Sequence, residues 1–126
     1  MAADYEIDKE RRLVISTASG AFTRADVLAH REKLFNDPEY DPSFSQVIDF
    51  TPVTQFWIEP KELQSLAQTM VFSANSRRAI VAPSDLIFGF ARMYEILRDS
   101  AGETGIRVFR DRDEALDWVL AKSTSA

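Results

Sequence analysis

The hydrophobic pattern of the chain alternates between short apolar runs and longer stretches with helical spacing. Two short runs, Asp4 to Asp8 and Leu13 to Ser19, flank the polar residues 9–12 and predict an opening β-hairpin that ends at Gly20. Three later runs also have strand character, namely Gln46 to Phe50, Arg78 to Ala82 and Ile106 to Phe109. The first of these is apolar on both faces, which is typical of a central buried strand.

Between these strands, apolar residues recur at the spacing of a helix. The first helix follows Thr23, where Asp26 gives a capping-box pattern, and it ends near residues 36–38. A second helix begins at Pro60, a favoured first-turn residue. The residues that fall on the predicted inner faces are Val27, Leu28, Arg31, Leu34 and Phe35 in the first helix, and Leu63, Leu66, Ala67 and Met70 in the second.

Two further helices complete the pattern. Ser84 can cap a third helix, which ends at Gly102 and Gly105, and Asp111 with Glu114 predicts a capping box for a closing helix. The predicted inner positions are Leu86, Phe90, Met93, Tyr94 and Leu97 in the third helix, and Ala115, Leu116, Val119 and Leu120 in the last.

This order of elements predicts an α/β fold. A single domain over residues 1–126 is expected, with the tail 122–126 frayed. The sheet is mixed, because the opening hairpin is antiparallel and helical crossovers return each later strand in the same sense. Ligand sites in such sheets lie outside the carboxyl ends of the parallel strands, which here means after Phe50, Ala82 and Phe109.

Composition narrows the classes of function. The formal net charge is −5, which disfavours nucleic acid and anionic membrane surfaces as partners. The chain has no cysteine, and its one histidine, His30, has no second histidine to complete a metal site and is predicted at the surface. We therefore predict no metal and no cofactor. Neither a secretory signal nor a membrane-length apolar stretch is present, so a cytoplasmic location is expected.

The segment after the central strand is unusually apolar for a loop. Apolar side chains at the carboxyl end of a sheet indicate packing, a partner or an apolar ligand. We predict a ligand pocket there, walled also by the start of the third helix. Its candidate residues are Asp49, Thr51, Val53, Thr54, Phe56, Trp57, Ile58, Ser84, Ile87, Phe88 and Arg92. The alternative is that the segment packs as ordinary core or forms the seam of a homodimer.

The polar candidates have two interpretations each. Asp49 can anchor a ligand, or it can accept amide bonds from the Thr51 turn and hold the shape of the loop. Ser84 begins a helix directly after a strand, so its neighbourhood, with Arg92 two turns along, can receive an anion. Helix capping is the stronger explanation for Ser84, because Pro83 removes one amide donor and Asp85 repels anions.

The order of elements, the stretch 47–54 and the ending from Val108 to Val119 resemble the STAS-like proteins. These include the bacterial anti-sigma-factor antagonists and a branch grouped with CRAL-TRIO lipid-binding domains. The antagonists carry a phosphorylated serine after the central strand, where this chain reads Phe56 to Pro60 without a serine. The resemblance thus implies a cytoplasmic, non-catalytic module, without a phosphorylation switch, that forms a homodimer.

Two classes of function follow from these features. The first is a binding or regulatory module that takes a small apolar or lipid-like ligand, or a partner protein, at the carboxyl edge of the sheet. The second is a small enzyme that uses Asp49 as acid or base in the same pocket, which requires apolar walls to raise its pKa. A homodimer that buries the apolar edge and binds no ligand is a third possibility.

Overall fold

The computed structural model describes residues 3–66, 76–102 and 105–121. The strands are β1 (Ala3–Asp8), β2 (Leu13–Ala18), β3 (Gly20–Phe22), β4 (Ser45–Asp49), β5 (Val53–Phe56), β6 (Arg78–Val81) and β7 (Ile106–Phe109). The helices are α1 (Arg24–Phe35), α2 (Pro60–Leu66), α3 (Asp85–Ser100) and α4 (Arg112–Ala121). The predicted α/β class with an opening hairpin is confirmed.

The main sheet has five strands in the order β1-β2-β4-β6-β7. The β1–β2 pair is antiparallel, and the pairs β2–β4, β4–β6 and β6–β7 are parallel. Each parallel pair is joined through a helix-containing connection, as the crossover rule requires. The parallel register places Gln46 opposite Arg78 on β4 and β6. It places Ser16 opposite Ile48 on β2 and β4.

Opposite faces of the sheet carry different helices. On one face α4 packs its buried Ala115 and Val119 against Leu13, Val47 and Val81 of the strands. On the other face the sheet meets α1, α2 and α3, and the buried residues form three neighbouring clusters. The sheet is therefore the middle layer, with α4 alone on one side among the described helices.

The predicted helix starts are capped as expected. The Thr23 side chain accepts from the Asp26 amide while the Asp26 carboxylate accepts from the Thr23 amide at 2.8 Å, which completes the capping box of α1. The Ser84 hydroxyl accepts from the Ile87 amide at the start of α3. The Asp111 carboxylate accepts from the Glu114 amide at 3.1 Å before α4.

The apolar segment after β4 is a strand where the sequence predicted a loop. Val53–Phe56 forms β5 and pairs in parallel with β3, giving a small second sheet. Gly20 begins β3 with φ of +62°, a conformation that glycine adopts without steric cost, and its amide donates to the Pro52 carbonyl. Pairing with β3 satisfies backbone groups of β5, which explains why this apolar segment is ordered as a strand.

The inner faces of two helices differ from the prediction. In α3 the sheet-facing residues are Ile87, Ala91 and Arg98, whereas Leu86 and Met93, predicted to face inward, are 61% and 40% exposed. In α1, Leu34 is buried, but Leu28 and Phe35 are exposed. Leu63 and Leu66 of α2 are buried, while Ala67, Met70 and the predicted frayed tail 122–126 lie outside the described residues. None of the helices in the described ranges has the length and apolar content that a membrane crossing requires.

Candidate functional site

A cavity of about 120 Å³ lies between the sheet and the helices α1, α2 and α3. Strands β2, β4 and β6 form its floor, and the three helices with residues of β3 and β5 form its walls. Most of its described lining residues are apolar, and the polar ones are Ser16, Thr17, His30, Arg31, Gln46, Arg78 and Tyr94. The cavity is partly open to solvent.

Parallel register gathers three polar side chains on the cavity floor. Gln46 and Arg78 are paired across β4 and β6, and both are almost fully buried, at 3% and 4% exposed. Ser16 of β2 is 3% exposed, and its hydroxyl accepts a hydrogen bond from the Gln46 side-chain amide at 2.9 Å. Buried polar groups are costly unless they are hydrogen-bonded, so this arrangement stabilises the polar part of the floor.

His30 lies over this floor and not at the surface, which corrects the sequence prediction. Its Nε2 atom is 2.9 Å from the Ser16 hydroxyl oxygen, and the ring is half-buried in edge-on contact with Tyr5. Burial lowers the pKa of His30, and the charges of Arg31 and Lys33 lower it further while Asp4 opposes them. The imidazole is therefore held neutral, and it can accept the Ser16 proton.

Arg31 enters the cavity from α1, one residue after His30. One terminal nitrogen of its guanidinium donates to the Leu66 carbonyl at 3.1 Å and to the Tyr94 hydroxyl at 3.3 Å. Burial lowers the pKa of Arg31, the interaction with Tyr94 opposes this effect, and the nearby charges of Arg78 and Arg98 lower the pKa further. The guanidinium of Arg78 lies 5.9 Å from the ring centroid of Tyr94, so Tyr94 contacts both arginines.

Aromatic rings form the opposite end of the cavity. Phe50 follows β4 and stands four residues beyond Gln46, which corresponds to about 13 Å along a strand. Its ring is in edge-on contact with Phe22 at 5.3 Å and with Phe56 at 6.2 Å, and Phe56 contacts Phe90 at 5.0 Å. The cavity is therefore amphipathic, with a polar end near the amino ends of the strands and an aromatic end near their carboxyl ends.

Sequence reasoning missed most of the polar end. Ser16, Gln46 and Arg78 each interrupt an apolar strand, and a polar residue at such a position is a usable signal. Arg31 fell on the predicted inner face of the first helix, where a charged residue is unusual. These signals do not show on their own that the side chains lie together in the fold, because their proximity depends on strand register and helix placement.

Three of the predicted ligand-binding residues line this cavity. They are Phe56 of β5, Ile58 before α2 and Ile87 of α3. Val53 packs against the same aromatic clusters without being among the lining residues. These three apolar side chains of the predicted pocket thus line a space on the face of the sheet that α1, α2 and α3 cover. The sequence predicted the site at the carboxyl edge of the sheet instead.

The remaining predicted residues lie elsewhere. Trp57 is 61% exposed, and Thr51 and Thr54 are also exposed. Phe88 lies under the guanidinium of Arg110, at 4.2 Å from its ring centroid, and belongs to a shallow, open depression that also contains Trp118. Ser84 caps α3, and exposed Arg92 pairs with Glu95 at 2.7 Å. The structure does not bring these six side chains to the cavity.

Asp49 points away from the cavity. It is 5% exposed, and one carboxylate oxygen accepts from the Thr51 amide and hydroxyl at 2.9 and 2.6 Å. The other oxygen accepts from the guanidinium of Arg112, at the start of α4, at 3.1 Å. Both oxygens therefore hold the end of β4 to its turn and to α4, which is the turn-holding role considered from the sequence.

Comparison with solved structures gives a full-length match for the fold. The crystal structure of an uncharacterised protein of the DUF3478 family with a SpoIIAA-like fold, from Shewanella loihica PV-4, matches with a TM-score of 0.56 and 18% identity. The match covers 94% of this chain and 94% of that one. No family model and no curated protein matches the sequence. The STAS-like resemblance is therefore confirmed at the level of architecture, and this chain has a SpoIIAA-like fold.

Proposed function

We propose that this chain is a non-catalytic binding module that holds a small, predominantly apolar ligand in the cavity between the sheet and α1, α2 and α3. The observation that carries the proposal is the cavity itself, about 120 Å³ with a mostly apolar wall. Native interiors are packed with few voids larger than a water molecule, so a space of this size is unusual in a small domain. An engineered apolar cavity of about 150 Å³ in another protein binds benzene, which sets the scale of ligand.

The wall also has the chemistry of a small-molecule site. Such sites are mainly apolar and contain a few placed polar groups that orient the ligand. Here aliphatic and phenylalanine side chains supply the apolar part, and Arg31, His30 and Tyr94 supply polar groups at one end. We propose that the module is regulatory, since binding a ligand between the layers would tie the helices to the sheet.

Native mass spectrometry of the purified protein, before and after denaturing extraction, is the first test. We expect an additional small mass that the denatured protein releases. Toluene, added to protein refolded after this extraction and followed by ligand-observed NMR, then tests whether the cavity accepts an apolar molecule. A protein that carries no extra mass and does not bind toluene contradicts the proposal.

A cavity-filling variant locates the binding. Ala91 of α3 is 7% exposed and lines the cavity, so Ala91→Leu should fill much of the space and abolish toluene binding. Ala29→Leu is the matched control, because Ala29 is an exposed residue of α1 that does not line the cavity. Binding that survives Ala91→Leu would place the ligand elsewhere.

Hydrolysis is a second candidate function, favoured by the contact between Ser16 and His30. A serine hydroxyl 2.9 Å from a histidine nitrogen is within reach of proton transfer. A fluorophosphonate probe that labels Ser16, with Ser16→Ala as the control, would support an enzyme. A protein that binds toluene and remains unlabelled supports the binding module alone.

A further inference from the structure

The charged side chains that line the cavity have one sign. Among its described lining residues the charged ones are Arg31 and Arg78, and none is an aspartate or a glutamate. The chain as a whole has a net charge of −5, so the polar end of the cavity is a positive region inside an acidic protein. A cationic interior of this kind favours an anionic occupant.

The hydrogen bonds of Arg31 leave part of its guanidinium available. Its bonds within the described residues go to neutral acceptors, the Leu66 carbonyl and the Tyr94 hydroxyl, and both start from the same terminal nitrogen. The Nε atom and the other terminal nitrogen donate to no acceptor among the described residues. A guanidinium has five donors in a planar fork that matches a carboxylate, so these nitrogens can bind one.

A carboxylate would also lower the electrostatic cost of this arrangement. Arg31 is half-buried, and the charges of Arg78 and Arg98 act on it unfavourably. A partly desolvated cation is costly unless an opposite charge is near. An anion beside Arg31 would offset both the desolvation and the repulsion.

The apolar end limits the rest of the ligand. A compact space lies among four phenylalanine rings, those of Phe22, Phe50, Phe56 and Phe90. Its size suits a single ring or a short aliphatic chain. We infer that the cavity binds a compact aromatic or short-chain aliphatic carboxylate, with the carboxylate against Arg31 and the apolar body against these four rings. The inference rests on the proposed binding function and specifies its ligand class.

Benzoate and nitrobenzene provide the test, because the two have nearly the same shape and differ in charge. Isothermal titration of wild-type protein should show benzoate binding at least about tenfold more tightly, the effect of a charge-assisted hydrogen bond. Equal binding of the two, or tighter binding of nitrobenzene, overturns the carboxylate inference and leaves the binding module intact. Binding of neither overturns the carboxylate inference, while the binding module itself is decided by the native mass and by toluene.

Substitution of Arg31 separates charge from shape. Arg31→Met should abolish the preference for benzoate while leaving nitrobenzene binding within about twofold, since the apolar stem is kept. Arg24→Met is the control, because Arg24 is exposed on the same helix and does not line the cavity. Circular dichroism checks that both variants fold. If Arg31→Met does not fold, the wild-type comparison of benzoate with nitrobenzene decides the matter alone.

Discussion

Both carboxylate oxygens of Asp49 are engaged, one by Thr51 and the other by Arg112. The side chain is buried, so its removal leaves donors at the end of β4 without their acceptor. Asp49 was a candidate ligand anchor in the sequence, yet its contacts are those of a structural carboxylate.

Asp49→Ala should lower the free energy of unfolding by about 2 kcal/mol, because a buried, charge-assisted network is lost. Asp85→Ala is the matched control. Asp85 also pairs with an arginine, Arg110, at 2.7 Å, but its side chain is 94% exposed, and such surface pairs contribute about 1 kcal/mol or less. Urea denaturation measures both. Equal losses in the two variants would contradict the role assigned to Asp49.

His30 makes the free energy of unfolding depend on pH. Burial lowers the pKa of His30 in the folded state below the value of 6.5 that it has when exposed. As the pH falls, His30 is therefore protonated in the unfolded chain before it is protonated in the folded one. The stability that neutral His30 contributes above pH 6.5 is lost as the pH drops through the folded pKa.

We expect the free energy of unfolding to decrease from about pH 7 to pH 5, by at most about 1.4 kcal/mol per pH unit from this one group. His30→Gln should flatten this part of the profile, because the chain has no other histidine. Urea denaturation across this pH range is the measurement. Parallel profiles for wild type and variant would show that other groups determine the slope.

The five-stranded sheet depends on a close backbone approach where β6 and β7 begin. Gly105 precedes β7, and a Cβ atom built at this position would lie 2.6 Å from the Ser76 carbonyl oxygen. The Gly105 carbonyl also accepts from the Arg78 amide at the start of β6. Any side chain here must push apart the backbone that begins two adjacent strands.

Gly105→Ala should therefore destabilise the protein by about 1–3 kcal/mol, the usual cost of overpacking. Gly89→Ala is the contrasting variant, because Gly89 lies within α3 with open space around the added Cβ. Helix propensity predicts a gain of about 1 kcal/mol there. Thermal unfolding should move in opposite directions for the two variants. A common direction would contradict the packing argument.

The outer face of α3 exposes several large apolar side chains. Leu86 and Ile96 are 61% and 57% exposed, and Met93 between them is 40% exposed. Their spacing of seven and three residues places them on one side of the helix. Exposed apolar groups arranged in this way are typical of protein contacts.

We propose that two copies of the chain associate through this face, which retains the homodimer expected from the sequence while moving its interface. Ile96→Glu should convert the dimer to a monomer in native mass spectrometry across a dilution series. Trp57→Glu tests the edge predicted from the sequence, since Trp57 is equally exposed. Loss of the dimer only in Trp57→Glu would favour that edge, and a wild type that is monomeric at every concentration would refute self-association.

The sequence alone determined the order of the main-sheet strands and the helices, and the starts of three helices. Thr23 with Asp26, Ser84 and Asp111 mark helix starts by bonds to amides at most three residues away, and such local bonds can be inferred from spacing. The strands of the main sheet can likewise be inferred from their apolar runs, because such a run is a local feature of the sequence. These features, with the opening hairpin, were sufficient to indicate the α/β class and the STAS-like resemblance.

The tertiary structure alone decided where the cavity lies and what it contains. Arg31 and Tyr94 are separated by 63 residues, and Gln46 meets Ser16 only through the register of β2 with β4. Likewise β5 is a strand because β3 is available to pair with it. Local spacing sets the period of a helix or strand, but strand pairing and helix rotation depend on the free energy of packing the whole chain, which no short segment contains.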